Sequence, residues 1–220
     1  RYTYGGVENE FSAVNIEHAM DVLEIPLTDG LVHTSEKIYD ALMLGKSYPE
    51  TVGEGRLLNF NLKYIDWEDP TQNLYHVTEE FAVESADGQH DARPDIEQPC
   101  RNQQPHYIPQ LYAFAQIVMA TNKNEVRYAT TGTPKKFWSI WKEQDADFLN
   151  REMAQLIPDR TPTVQDKDIV SLVTPVRLLE LTKYFVLFDY NVKKICRYQQ
   201  YFAVKEILHT VKQRDEKGNR

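Results

Sequence analysis

The chain has 220 residues and a formal net charge of −8; 41% of it is hydrophobic, 26% charged and 11% aromatic. That is room for one large domain or one domain plus part of another, with the balance of a folded globular protein rather than a disordered one. The acidity excludes a non-specific nucleic-acid coat, which needs clustered Lys and Arg to displace counterions, and no apolar run approaches the roughly 18 residues of a membrane-spanning helix.

A soluble, cytoplasmic protein with no membrane partner is therefore expected. The N-terminus lacks the charged-then-apolar layout of a signal peptide. Cys100 and Cys196 stand far apart, without Cys or His at metal-ligand spacing. They indicate free thiols, not a disulfide framework or a structural zinc site.

Asn15, followed by Ile16, Ala19, Met20 and Leu23, reads as the cap of an amphipathic helix that Pro26 and Gly30 end. A second helix is predicted from Thr34-Ser35. Glu36 lies in its first turn, where the dipole favours an anion. Ile38, Ala41 and Leu42 form its apolar stripe, and Gly45 terminates it. The stretch to Gly55 reads as a turn-rich connection. Leu58, Phe60, Leu62 and Tyr64 alternate with Asn59, Asn61 and Lys63, the period of a half-buried strand. A loop over 66–73 leads to a second alternating stretch, 75–84, expected to pair antiparallel with the first.

The apolar run 111–120 suits a central strand buried on both faces, with 126–130 as a short neighbour. Thr133-Pro134 predicts the start of a helix carrying Phe137 and Trp141 one turn apart. Helices are expected over 150–156, 166–172, 176–188 and 198–211. Helices, then a strand meander, then a helical tail indicate an α/β protein with a mixed sheet followed by a helical connector.

Arg93-Pro94-Asp95 follows the second predicted strand. Pro-Asp alone is usually a turn, but an Asp at the head of a strand is also what a metal-dependent nuclease uses. Mg2+ prefers oxygen ligands, polarises a phosphodiester and lowers the pKa of the attacking water. Glu79 shares the alternation face of Tyr75, Val77, Phe81 and Val83. An ionised carboxylate there needs a partner or a metal, so it serves either as a buried ion-pair member or as part of a site. Gln98 and Arg101 to Gln104 form a polar cluster that reads as a surface loop or as a helix beside a site. The aromatics Tyr107, Tyr112, Phe137, Trp138 and Trp141 read as core packing. The six histidines are scattered and support no site.

The blocks NIEHAM (15–20), DGLVHTSEKIYDALMLGKSY (29–48), FNLKYIDWEDPTQNLYHVTEEFAVE (60–84), ARPD (92–95), RNQQ (101–104), IPQLYAFAQIVMATNKNEVRYATTGTPKKFW (108–138) and FDYNVKKICRYQQYFAVK (188–205) resemble, in order, the R (restriction) subunits of type I restriction-modification enzymes. The resemblance implies a PD-(D/E)xK restriction-endonuclease-like fold, a mixed sheet flanked by helices. It also implies Mg2+ as cofactor, duplex DNA as substrate, and methyltransferase (M) and specificity (S) subunits as partners. Asp95 falls on the first metal-binding acid. Gln98 falls on the glutamine of a Gln-x-x-x-Tyr motif whose last position here is Asn102. Arg197 and Gln200 resemble an adenine-reading element, with ATP used by the full-length subunit alone.

The expected division is an endonuclease domain over 1–143, a helical connector over 144–195 and the start of a translocase motor over 196–220. Two departures stand out. The family's Glu-x-Lys hairpin has no counterpart, because only Ile96 to Cys100 separate ARPD from RNQQ. Five residues do not supply two strands of about five or six residues each, so the sequence is expected to skip residues near 95–97. No Gly-x-x-x-x-Gly-Lys-Ser/Thr occurs, so this piece is expected neither to bind nor to hydrolyse ATP. Glu8 and Glu10 are the nearest substitutes for the family's opening accessory acid.

Overall fold

The computed structural model describes residues 1–78 and 96–216. In chain order the elements are β1 (Tyr2–Tyr4), β2 (Val7–Asn9), α1 (Ala13–Asp21), α2 (Leu31–Leu44), β3 (Lys46–Val52), β4 (Arg56–Leu62), α3 (Glu97–Asn102), α4 (Pro109–Phe114), β5 (Val118–Asn122), β6 (Glu125–Ala129), α5 (Ala146–Leu156), α6 (Val164–Val173), α7 (Pro175–Phe185), β7 (Val186–Asp189), β8 (Val192–Ile195) and α8 (Tyr198–Glu216). The α/β expectation holds. Among the described residues the strands form four separate antiparallel pairs, β1–β2, β3–β4, β5–β6 and β7–β8.

Helix α1 starts after Ser12, not at Asn15. Asn15 is buried inside it, and its amide donates to the Pro49 carbonyl at 2.7 Å and to Glu50 Oε1 at 2.8 Å. The same Glu50 oxygen accepts from the Ser12 N–H at 2.8 Å and the Ser12 hydroxyl at 3.0 Å. A carboxylate from β3 thus occupies the positive end of α1. Burial works against its charge, but the bonds from Asn15 and Ser12 outweigh that and hold the carboxyl below its ordinary range. Because its folded pKa is depressed, the carboxylate contributes stability above the unfolded value, and that contribution is lost as pH falls through the folded one. Glu50→Ala is expected to cost about 2 kcal/mol at neutral pH. In urea unfolding, the gap to the parent should narrow as pH drops below the usual carboxylate range.

Helix α2 begins at Leu31, one turn before the predicted Thr34-Ser35 start, because Gly30 (φ 93°) turns the chain into it. Thr34, Ser35 and Ile38 are its buried face. Gly45 ends it as expected. The predicted turn-rich region is instead β3, in register with β4 from Lys46↔Leu62 to Val52↔Arg56. Phe60, Leu62 and Tyr64 pack on the Phe11, Ala19 and Tyr48 cluster, as the alternation predicts, while Leu58 is exposed. Of the second expected strand, residues 75–78 have no regular structure, and 79–84 lie outside the described residues.

The apolar run expected as one central strand divides. Pro109 opens α4, which ends at Phe114, and β5 takes up the chain from Val118. The fully buried Thr131 hydroxyl donates to the Tyr112 carbonyl at 2.6 Å and also reaches the Ala115 carbonyl. Those carbonyls are therefore satisfied outside a strand ladder. β6 pairs with β5 as predicted. The helix expected after Thr133-Pro134 shrinks to a 3-10 turn, Lys135–Phe137, after which Ser139 bridges Tyr128. Trp138 and Trp141 are buried and Phe137 exposed.

The tail is helical as expected, except that 186–195 is the β7–β8 hairpin. One core cluster joins Tyr112, Val118, Ala120, Ala129 and Trp138. Another joins Tyr128 and Trp141 to Leu172 of α6, Leu181 of α7 and Tyr201 of α8. Among the described residues no helix is long and apolar enough to cross a membrane.

Candidate functional site

Asp95 and Glu79, the two candidate acids, lie outside the described residues, as does the Asp95 side of the proposed skip. Gln98, immediately downstream, sits half-buried in the first turn of α3, and Asn102, one turn later on the same face, is buried. The cluster read as loop or helix is thus mainly helix. Gln103 follows as a clamp: its amide donates to the Pro99 carbonyl at 3.0 Å, and its Oε1 accepts from the Gly132 N–H at 2.7 Å. Lys135 forms an ion pair with Glu97, and the Arg101 guanidinium lies 5.7 Å from the Tyr107 ring centroid. The Gln103–Gly132 bond and the Lys135–Glu97 pair fix α3 to the 130–135 loop.

Between them runs a cleft of about 450 Å³, lined among others by Gly30, Val32, Cys100, Gln103, Gly132 and Lys135. Gly132 has φ 78°, and a Cβ there would come within 2.6 Å of Val32 Cγ2, so only glycine lets the loop lie this close to α2. Gln103, Gln104 and Lys135 bring polar groups to a wall that is otherwise largely apolar, with Leu31, Val32 and Pro134 in it. Among the described residues no three His, Cys, Asp or Glu side chains gather to hold a metal. Glu8 and Glu10 are exposed and pair with Arg1. The described part therefore offers no donor set against which a Mg2+ site can be fitted.

A larger cleft, about 1010 Å³, opens between α5, α7 and α8, with Asp145, Phe148, Arg177, Glu180, Tyr201 and His209 in its wall. Arg177 lies at its base, buried and ion-paired with buried Glu143 at 2.8 Å. Trp141 Nε1 donates to the same carboxylate at 3.0 Å, and the Phe148 and Tyr201 rings each have their centroids 4.6 Å from the guanidinium carbon. Tyr201 donates to Glu180, which also pairs with Lys205. Sequence reading missed Arg177 and Glu143, although an acid two residues from a core tryptophan was a signal for a buried partner.

Arg197 and Gln200, the adenine-reading candidates, are both exposed at the start of α8. Gln200 Oε1 accepts from the Arg197 N–H at 2.8 Å. It ties down a helix-start donor, as a capping residue does. Burial pushes the Cys196 thiol up to about 12.

Short antiparallel pairs packed among helices define an α/β protein. Residues 6–97 match the family model of the type I restriction enzyme R protein N terminus. No curated protein matches the chain. The match takes in α1, α2, β3, β4 and Asp95, and ends one residue before Gln98.

Proposed function

We propose that the chain is the endonuclease-bearing front of a type I restriction R subunit, with a PD-(D/E)xK fold. In the full enzyme it cuts duplex DNA using Mg2+, coupled to ATP-driven translocation, together with M and S subunits. The family match that runs through Asp95 carries this reading. Asp95 would be the metal ligand, with Glu79 a second inward acid and Gln98 aligning the site from α3. Arg197 and Gln200 would serve adenine recognition once the motor is present. The described carboxylates gather no metal site, so the chemistry rests on Asp95, Glu79 and residues expected in the skip near 95–97. The proposed segmentation is 1–143, 144–195 and 196–220.

The test is plasmid nicking by the full-length subunit, assembled with its partners, in Mg2+. Asp95→Ala is expected to abolish cleavage while leaving ATP hydrolysis intact. Unchanged cleavage removes the nuclease role from this segment. A second reading, a non-catalytic module docking the motor to the methyltransferase core, draws on the continuous core that links Tyr128 and Trp141 with α6, α7 and α8. It predicts instead that Asp95→Ala is silent and that disrupting Arg177 uncouples assembly.

A further inference from the structure

Lys193, on β8, is 1% exposed, and its neighbours come from three parts of the chain. Its Nζ lies 3.1 Å from Ser35 Oγ on α2, 2.9 Å from the Ala115 carbonyl and 3.1 Å from Gln116 Oε1. All three partners are neutral. Among the described residues no carboxylate lies within ion-pair distance of Nζ, and the Phe188 and Tyr39 ring centroids stand 5.5 and 6.0 Å away. Burying an ammonium without a counter-charge is expensive, whereas a neutral amine in the same place costs far less.

The hydrogen bonds permit either state. A charged Lys193 donates to all three acceptors. A neutral amine donates to the Ala115 carbonyl and Gln116 Oε1, and the Ser35 hydroxyl reverses to donate into its lone pair. The number of bonds is conserved, so the cost of burying the charge decides. We infer that Lys193 is a proton-controlled latch: the joint between α2 and the β7–β8 hairpin closes on the neutral amine, and protonation favours its opening. Ser35 lies within the family-matched stretch and Lys193 outside it, so the latch couples that stretch to the segment leading into α8.

Burial pushes the Lys193 ammonium down to about 7. The surrounding titratable groups do not take over its role. From α2, the Tyr39 hydroxyl donates to the Thr182 carbonyl at 2.8 Å and is raised by burial, then by Asp40, so it stays neutral. Asp40 is exposed, its carboxyl raised by burial and by Glu36. On the hairpin, Asp189 pairs with Lys194 at the surface. α7 contributes the Thr182 carbonyl, and the 115–116 connection brings no ionisable side chain. The sign follows from linkage. An opened latch exposes a lysine of ordinary basicity, about 10.4, so it binds more protons than the closed state between that value and the closed-state one. Opening must therefore become less favourable as pH rises through that window.

The test is amide hydrogen exchange of the protein from pH 6 to 9, corrected for intrinsic rates and read on α2 and on β7–β8. The expected result is an opening equilibrium that falls by close to tenfold per pH unit above about 7. Lys193→Met should flatten this dependence, while Lys194→Met, at the exposed neighbour, should leave it intact. Should Lys193→Met not fold, the lysine 13Cε resonances of the parent decide the matter, assigned through Lys193→Arg. Titration near neutrality supports the latch. Titration of Lys193 with the surface lysines near 10, or a flat exchange profile in the parent protein, overturns it.

Discussion

Arg177→Ala is expected to destabilise the protein by about 3–5 kcal/mol, the range for removing one partner of a buried ion pair. The side chains of Arg177 and Glu143 are 6% and 4% exposed, so water does not compensate the Glu143 carboxylate left behind. Arg177 also donates to the Ser171 carbonyl at 3.2 Å and sits among Trp141, Phe148, Tyr201 and Phe202. Truncation removes that packing together with the charge. Glu143 keeps the donors Trp141 Nε1 and the Asp145 N–H, which places the cost within the range rather than beyond it. Replacing both partners together, Arg177→Met with Glu143→Leu, removes both buried charges. It is expected to cost less than Arg177→Ala, because an apolar pair carries no desolvation penalty. Urea unfolding of the three proteins checks this, and a loss below about 1 kcal/mol for Arg177→Ala would show that the pair behaves as a surface contact.

This network also shows what was hidden in the sequence. A period-two strand was legible around Phe60 and Leu62 because those inward residues are apolar, although the strand runs Arg56–Leu62 and leaves Leu58 exposed. Its pairing with β3 was obscured by Pro49 and by an inward acid, Glu50, whose presence makes sense only once α1 supplies Ser12 and Asn15. The 111–120 run was ambiguous because a buried helix and a buried strand share apolar composition. Pro109 and the reach of Thr131 to the Tyr112 carbonyl decide it. The β7–β8 hairpin escaped notice because its turn residues are Tyr190 and Asn191, at φ 47° and 59°, in place of the usual glycine signal.

At the site, Gln98 was legible as part of a polar cluster, and Asp95 gained its meaning from the family resemblance. Nothing in the local sequence marks Lys193 as buried. Its burial depends on acceptors 78 and 158 residues away, which no local pattern encodes. Long-range polar contacts of this kind also set where the family-matched stretch meets the rest of the chain: Tyr39 of α2 reaches the Thr182 carbonyl at the end of α7.

The placement of α2 against the β3–β4 hairpin depends on Gly45, and substitution there should be among the most damaging single changes in the matched stretch. Gly45 has φ 70°, and a Cβ added to it would stand 2.4 Å from the Leu62 carbonyl oxygen. The clash is with backbone, so no side-chain rotation relieves it. Either β4 shifts away, breaking the Lys46↔Leu62 register, or the helix end gives up the Gly45 N–H bond to the Ala41 carbonyl. Gly45→Ala therefore combines the strain of an essentially glycine-only backbone conformation (φ 70°, ψ −169°), about 1–3 kcal/mol, with overpacking of about 1–3 kcal/mol. Gly55 supplies the control: its φ is 79°, but a Cβ there meets nothing within 4 Å. Gly55→Ala should show the strain alone, about 1–2 kcal/mol. Unfolding midpoints of the two variants separate the contributions, and equal losses would mean that the approach of α2 to β4 is not tight. A displaced β3–β4 hairpin also releases Glu50 from the start of α1. Gly45→Ala should therefore loosen amide protection in α1 as well, an effect Gly55→Ala is not expected to share.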